Sequence, residues 1–269
     1  MAGAVVVVDD HRLVAGPLVT VLTPLLAAHG FTLRPLAATV AACIASGPPG
    51  LAVCDVILGA GASGAEAVKE LVAHRWKVLL ISGYAPEEQV LDAIAAGAGG
   101  YLEKSEDPAG LVAAVRAVDF EGLHLSAALA AMLYADLRRR PRPAGSELST
   151  GDQRVLRAFV QGEPLDRAAR SCGLTVDQAR AAVRRIFTAA VARRQQHQLT
   201  PRELEVVRLV GCEHLSTAAV ARRLYVSIDT ANTHLRSIRR KYHLVHPEAP
   251  ANLPQRTAAQ LWARELNLC

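Results

Sequence analysis

Aromatic residues make up only 4% of the 269-residue chain, so any core must be assembled mainly from Ala, Val and Leu. No apolar run approaches the roughly 18 residues needed to cross a bilayer, and no membrane partner is expected. The opening MAGAVVVVDDHR lacks a basic stretch and meets Asp9 and Asp10 directly after its apolar run, so no signal peptide is expected. The five cysteines (Cys43, Cys54, Cys172, Cys212, Cys269) are odd in number and form no C-x-x-C pair. Neither a disulfide framework nor a zinc site is expected, and a reducing cytoplasm is the expected location. A strong net charge is also missing, at +5 overall. That small figure conceals an imbalance. Met1–Glu121 carries 7 Lys/Arg against 13 Asp/Glu, a net of −6, whereas Gly122–Cys269 carries 23 against 12, a net of +11. An acidic front and a basic back point to parts with different partners.

In the front half, short apolar runs alternate with helical patterns. Residues 4–8 (AVVVV), 51–56, 77–82 (KVLLIS) and 100–104 (GYLEK) read as strands. Leu13–Ala28, Ala65–Ala73, Pro86–Ala96 and Ala109–Val118 read as helices. This alternation implies a parallel sheet covered on both faces. FTLRPLA (31–37) is a fifth strand candidate, and Pro35 assigns it to an edge. Polar residues recur where each strand ends, and in such sheets that edge holds the site. Asp9, Asp10 and Asp55 converge there, with Ser82 and Lys104 beside them. Three carboxylates suit a hard ion such as Mg²⁺. A lysine suits a phosphoryl group, and the set as a whole suits phosphoryl transfer to a carboxylate.

From VVVVDDH (5–11) through LAVCDVI (51–57) and VLLISG (78–83) to AGAGGYLEKS (96–105), the chain resembles the receiver domain of two-component response regulators. The resemblance implies that Asp55 is the phospho-acceptor and that Asp9, Asp10 and the Ile57 carbonyl join it in holding Mg²⁺. It further implies that Lys104 contacts the phosphoryl group, Ser82 follows it and Tyr101 is the rotating switch aromatic. The family usually has proline four residues after the acceptor, where this chain has Gly59, and the loop GAGASG (59–64) is one residue longer than is usual for the family. Cys54 alternates away from the site into the core, and His11 is read as the start of the first helix rather than as a metal ligand.

The back half starts with a helix over 126–139, capped by Ser126, and an Arg/Pro linker, RRRPRPAGS (138–146). LTPRELEVVRLV (199–210) carries a capping box, Thr200 with Glu203, and Pro201 at the first helical position. Ser216 caps a short second helix and Ser227 a third over Ile228–Tyr242. Leu204, Val207, Leu209, Val220, Leu224, Ala231, Leu235 and Ile238 supply its core. The third helix is polar and basic along one side, as a major-groove helix must be.

This segment resembles the LuxR-type helix-turn-helix of NarL/FixJ response regulators, over 199–244. The resemblance implies base contacts from Asn232, Thr233 and Arg236, and phosphate contacts from Thr230, His234, Arg239 and Lys241. RTAAQLWAREL (256–266) fits the family's fourth helix. Residues 148–194 repeat the plan: LSTGDQRVLRAF lies over LTPRELEVVRLV at an offset of 51, and GLTVDQARAAVRRI over YVSIDTANTHLRSI at 52. This reads as an internal duplication, a diverged second helix-turn-helix. Arg180 and Arg184 fall on the places of Asn232 and Arg236, which makes them a second DNA site or, equally, the solvated face of a helical spacer or dimer bundle.

The expected fold is therefore a doubly wound, five-stranded, flavodoxin-like α/β receiver followed by all-α helix-turn-helix domains. The expected boundaries are 1–122 (receiver), 123–147 (helix and linker), 148–195 (diverged helix-turn-helix) and 196–269 (DNA-binding domain). The expected function is a non-enzymatic, phosphorylation-controlled transcription regulator, with double-stranded DNA, a sensor histidine kinase and a second copy as partners. The alternative keeps the architecture but replaces phosphorylation with a ligand, a partner or dimerisation. A haloacid-dehalogenase-like phosphatase is disfavoured, because it would need an aspartate where Ile57 stands.

Overall fold

The computed structural model describes residues 3–59, 63–139, 148–197, 199–246, 248–266 and 268–269. They fall into two compact units that divide between Ala192 and Arg193. The first holds β1 (Gly3–Val8), α1 (Arg12–Ala28), β2 (Phe31–Leu33), α2 (Val40–Ala45), β3 (Leu51–Asp55), α3 (Gly64–Ala73) and β4 (Lys77–Ser82). It continues with α4 (Glu87–Ala95), β5 (Gly100–Glu103), α5 (Pro108–Glu121), α6 (Ala127–Arg139), α7 (Thr150–Val160), α8 (Leu165–Ser171) and α9 (Val176–His197), within which the division falls.

All five strands pair in parallel in the order β2-β1-β3-β4-β5. This is the expected doubly wound sheet, with FTL on the edge as Pro35 required. The β-branched strands bury both faces by alternation. Val5, Val7, Leu51, Val53, Leu79 and Ile81 meet Leu22 and Leu26 of α1 and Val115 of α5. Val6, Val8, Ala52, Cys54, Val78 and Leu80 meet Val68 and Leu71 of α3 and Val90 of α4. Each such side chain contributes about 1.5–3 kcal/mol when fully buried. Cys54 is fully buried, as its alternation implied. Helix α2, which the sequence reading did not pick out, is a single short segment capped by Thr39.

The segment expected as a block apart from the receiver packs with the sheet in one unit. Leu129 and Leu133 of α6, Leu156 of α7 and Ile186 of α9 belong to the same core cluster as Leu80 and Tyr101. Ser126 anchors the junction: its hydroxyl accepts from Leu129 N at 3.2 Å and donates to the Tyr101 carbonyl at 2.6 Å. A linker boundary read from composition cannot register this, because α6 spends its apolar face on β5 and α4. Residues 140–147, most of the Arg/Pro linker, lie outside the described residues, as do residues 60–62 of the GAGASG loop.

The second unit contains α10 (Pro201–Gly211), α11 (Thr217–Arg223), α12 (Ile228–Val245) and α13 (Gln255–Glu265). The Thr200–Glu203 capping box forms in full, with Glu203 Oε2 accepting from Thr200 N at 2.7 Å. The core holds Val207, Leu209, Val220, Leu224, Ala231, Leu235 and Ile238 as expected. Leu204 is only half-buried, and its expected place falls to Val206 and Val210, which are fully buried. Helix α13 closes the unit through Ala258, Ala259, Trp262 and Ala263. It also returns the chain to the end of α10, where Cys212 and Cys269 form a disulfide with Cα atoms 5.4 Å apart. This corrects the expectation of no disulfide: counting cysteines does not reveal that α13 brings two remote thiols into bridging range. Among the described residues, no helix is long and apolar enough to cross a membrane.

Candidate functional site

In the order 2-1-3-4-5, the direction of winding reverses between β1 and β3, and crevices form at that point beyond the carboxyl ends of the strands. Strand β1 runs straight into Asp9 and Asp10, and β3 ends on Asp55. The parallel register sets Val8 beside Cys54 and Asp55 beside Ile81, so both acidic ends open on one edge. Asp9 is fully buried and Asp55 nearly so. Lys104, just past β5, reaches across: its Nζ lies 2.7 Å from Asp9 Oδ2 and 2.6 Å from Asp55 Oδ2. Burial pulls the Lys104 pKa down, but the hydrogen bonds and charges of Asp55 and Asp9 outweigh this and hold it above the usual value. The lysine is therefore a fixed cation.

One oxygen of each carboxylate is steered by a backbone N–H group. Asp9 Oδ1 accepts from His11 N at 2.8 Å, and Asp55 Oδ1 accepts from Ile57 N at 3.1 Å. Asp10 Oδ2 accepts from Gly59 N at 3.0 Å. Gly59, the position that departs from the family's proline, thus does two things a proline would not: it donates an N–H, and it leaves room. A Cβ there would stand 2.3 Å from Asp10 Oδ2. The resemblance marked Gly59 as a departure, but its role is visible only once β1 and β3 lie side by side. His11 precedes α1 as read from the sequence, and its ring also sits within the acidic site. Nδ1 is 3.1 Å from Asp10 Oδ1, and one ligand atom each from Asp9, His11 and Asp55 lie within 4.8 Å of one another.

Ser82 closes β4, buried beside Asp55's strand. Tyr101 is buried in the core shared with α6, and burial, followed by the charges of Glu103 and Asp55, raises its hydroxyl pKa. Ile57 is half-exposed at the rim.

In the second unit, α12 buries Ala231, Leu235 and Ile238 and turns its other side out. Thr230, Thr233 and Arg236 are exposed, and Asn232, His234 and Arg239 are partly so. Lys241 differs from expectation. It is buried, with Nζ 2.6 Å from Glu203 Oε2. The register of α12 carries position 241 round to the inner face, where it secures the acid of the α10 capping box, so it is not an outward phosphate contact. Tyr225, 96% exposed in the α11–α12 turn, was not anticipated.

Arg180 and Arg184, left open between a second DNA site and the solvated face of a helical spacer or dimer bundle, contact the end of α5. Arg180 Nε lies 2.9 Å from Glu121 Oε1 and its NH1 2.8 Å from Asp177 Oδ1, while Arg184 NH2 donates to the Glu121 carbonyl at 3.5 Å. Both point at the end of α5, because α7–α9 fall in the same unit as the sheet.

Residues 5–116 match the family model described as the response regulator receiver domain. Solved structures similar to the chain include the response regulator ChrA of a heme-sensing two-component system, at 23% identity over 100% of both chains with a TM-score of 0.43. A LuxR-family two-component response regulator from Aurantimonas sp. SI85-9A1 is 25% identical over 51% of this chain and 99% of its own, with a TM-score of 0.45. The signal receiver domain of NarL from Mycobacterium tuberculosis is 28% identical over 42% and 93%, with a TM-score of 0.37. No curated protein sequence matches the chain.

Proposed function

We propose that the chain is a transcription regulator of the NarL/FixJ kind, which binds double-stranded DNA and is switched by a sensor histidine kinase that phosphorylates Asp55. The observation that carries this reading is the Lys104 ammonium held between Asp55 and Asp9 at the switch point of the sheet, inside the matched receiver segment. An Asp55 carboxylate oxygen attacks the phosphorus of the donor. An O–P bond forms as the donor's P–N bond breaks, and the departing imidazole takes a proton. Lys104 is placed to follow the phosphoryl group with its charge. The all-oxygen set of Asp9, Asp10, Asp55 and the Ile57 carbonyl fits Mg²⁺, which when bound neutralises phosphoryl oxygens. The Ser82 hydroxyl donates to the acyl phosphate, and Tyr101 repacks in response. The Ser126 bond to the Tyr101 carbonyl supports a route from this switch into α6.

On α12, Asn232, Thr233 and Arg236 read base edges, and Thr230, His234 and Arg239 hold phosphates. Two copies engage paired half-sites as a homodimer. Helices α7–α9 are a diverged copy of α10–α12. The first two helices have equal lengths, 11 and 7 residues, in the two sets. Gly173 and Tyr225 take the same left-handed turn position, at φ 69° and 53°. In each set a buried acid in the first turn, Asp152 or Glu203, pairs with a cation on the third helix, Arg185 or Lys241. The copy has turned its arginines to the receiver and serves as its partner in packing.

The test treats the full chain with acetyl phosphate and Mg²⁺ and measures affinity for a duplex selected from a random pool. Wild type gains one phosphoryl group by intact mass and binds more tightly, whereas Asp55→Asn does neither. A phosphorylation-independent regulator is the second reading, favoured by the Gly59 N–H that occupies Asp10. It predicts equal DNA affinity for both proteins, with and without the donor.

A further inference from the structure

A cavity of about 430 Å³ opens inside the first unit, away from the acidic site. One wall is α5, where Gly110, Ala113 and Ala117 follow each other at helical spacing and leave a trough. The opposite wall is α9 with the end of α7 and the α7–α8 link; α7 contributes Phe159 and α9 Val183. Leu102 and Leu125, both buried, line the cavity as well. This is the size and character of a small-molecule site: an apolar body with a few polar groups at defined places.

Of the charged groups in the lining, Glu121 is paired with Arg180, and Glu163 keeps its charge while accepting from the Ser171 hydroxyl at 2.8 Å. Glu106 stands beyond the far end of α5, roughly 20 Å from Glu121 along the helix. Arg184 is the cation held least: among the described residues its side chain has one hydrogen bond, the 3.5 Å contact with a backbone carbonyl. His124, also in the lining, is held neutral by burial, which lowers its pKa to about 4, so it offers a hydrogen bond without a competing charge. We propose that this cavity binds a small amphipathic carboxylate, its apolar body along the Gly110–Ala117 trough and its carboxylate on Arg184. The walls come from the receiver's last helix and from α7–α9, so occupancy ties these elements together. The proposal does not depend on phosphorylation or DNA binding.

The experiment is calorimetric titration of the full chain with 4-phenylbutyrate and with its uncharged amide. Wild type binds the carboxylate with roughly millimolar or better affinity, as ligand-efficiency limits imply for this size. Arg184→Gln weakens the carboxylate about tenfold, the worth of one charge-assisted hydrogen bond, and leaves the amide unchanged. Ala117→Phe, which fills the trough, abolishes both. Should Ala117→Phe fail to keep the wild-type melting profile, transfer of magnetisation from the probe to the Leu102 and Val183 methyls replaces it. Absence of binding to wild type, carboxylate binding undiminished by Arg184→Gln, or no transfer to those methyls would each overturn the site.

Discussion

Asp10 and Gly59 show how one missing side chain sets the geometry of a carboxylate in the acidic site. The Gly59 N–H fixes one Asp10 oxygen, and the space a Cβ would need is filled by that same oxygen. Gly59→Ala keeps the N–H but pushes the carboxylate aside, and an aspartate carboxylate has little freedom to yield without leaving the site. Displacing a group that orients a metal site typically costs ten- to a hundredfold in affinity. Calorimetric Mg²⁺ titration of Gly59→Ala is therefore expected to show roughly tenfold weaker binding than wild type, with Asp55→Asn as the reference for a lost ligand. Equal affinity would mean that Asp10 does not serve the ion from this position.

At the scale of elements, α12 divides its cations between two jobs, and burial tells them apart. Arg236 is exposed, whereas Lys241 is inside, paired with Glu203. Burial raises the Glu203 pKa, but the Lys241 hydrogen bond, the Thr200 N–H and Ser237 outweigh it and bring it below the ordinary value. Removing one member of a buried pair strands the other, at a cost of about 3 kcal/mol. Glu203→Gln should lose that much in chemical denaturation, and adding Lys241→Met should recover most of it. In DNA binding, Arg239→Gln, at a proposed phosphate contact, should reduce the salt slope by about one and Lys241→Met should leave it unchanged. A reduced slope for Lys241→Met would return that lysine to the phosphate contacts. These two residues also mark what was legible beforehand. The strands, the sheet edge and the Thr200–Glu203 box follow from local patterns with periods of two and 3.6, and they appear where expected. Lys241, Arg180, Arg184 and the Cys212–Cys269 bridge do not, because each is decided by which neighbour a helix packs against, and local spacing carries no record of that neighbour.

The whole chain carries its charge asymmetry into two units with different electrostatic tasks, but the first is not simply an acidic receiver. It also holds the arginine-rich α7–α9 and His124, half-buried at the turn between α5 and α6. The charged groups sharing its cavity are Glu106, Glu121, Glu163, Arg180 and Arg184. Burial lowers the His124 pKa from 6.5 to about 4, so the folded chain resists a proton that the unfolded chain accepts below pH 6.5. Above that pH neither state is protonated and His124 adds no pH dependence. As pH falls from about 6.5 to 4 the unfolded state gains the proton alone, and stability drops by on the order of 3 kcal/mol before levelling off. Urea unfolding of wild type and His124→Gln, followed from pH 7 to pH 4, isolates this contribution from that of the carboxylates. The variant should lose less stability over that interval by about the same amount. Parallel curves would show that His124 is protonated in the folded chain as readily as in the unfolded one, and that the turn joining the receiver to α6 admits water.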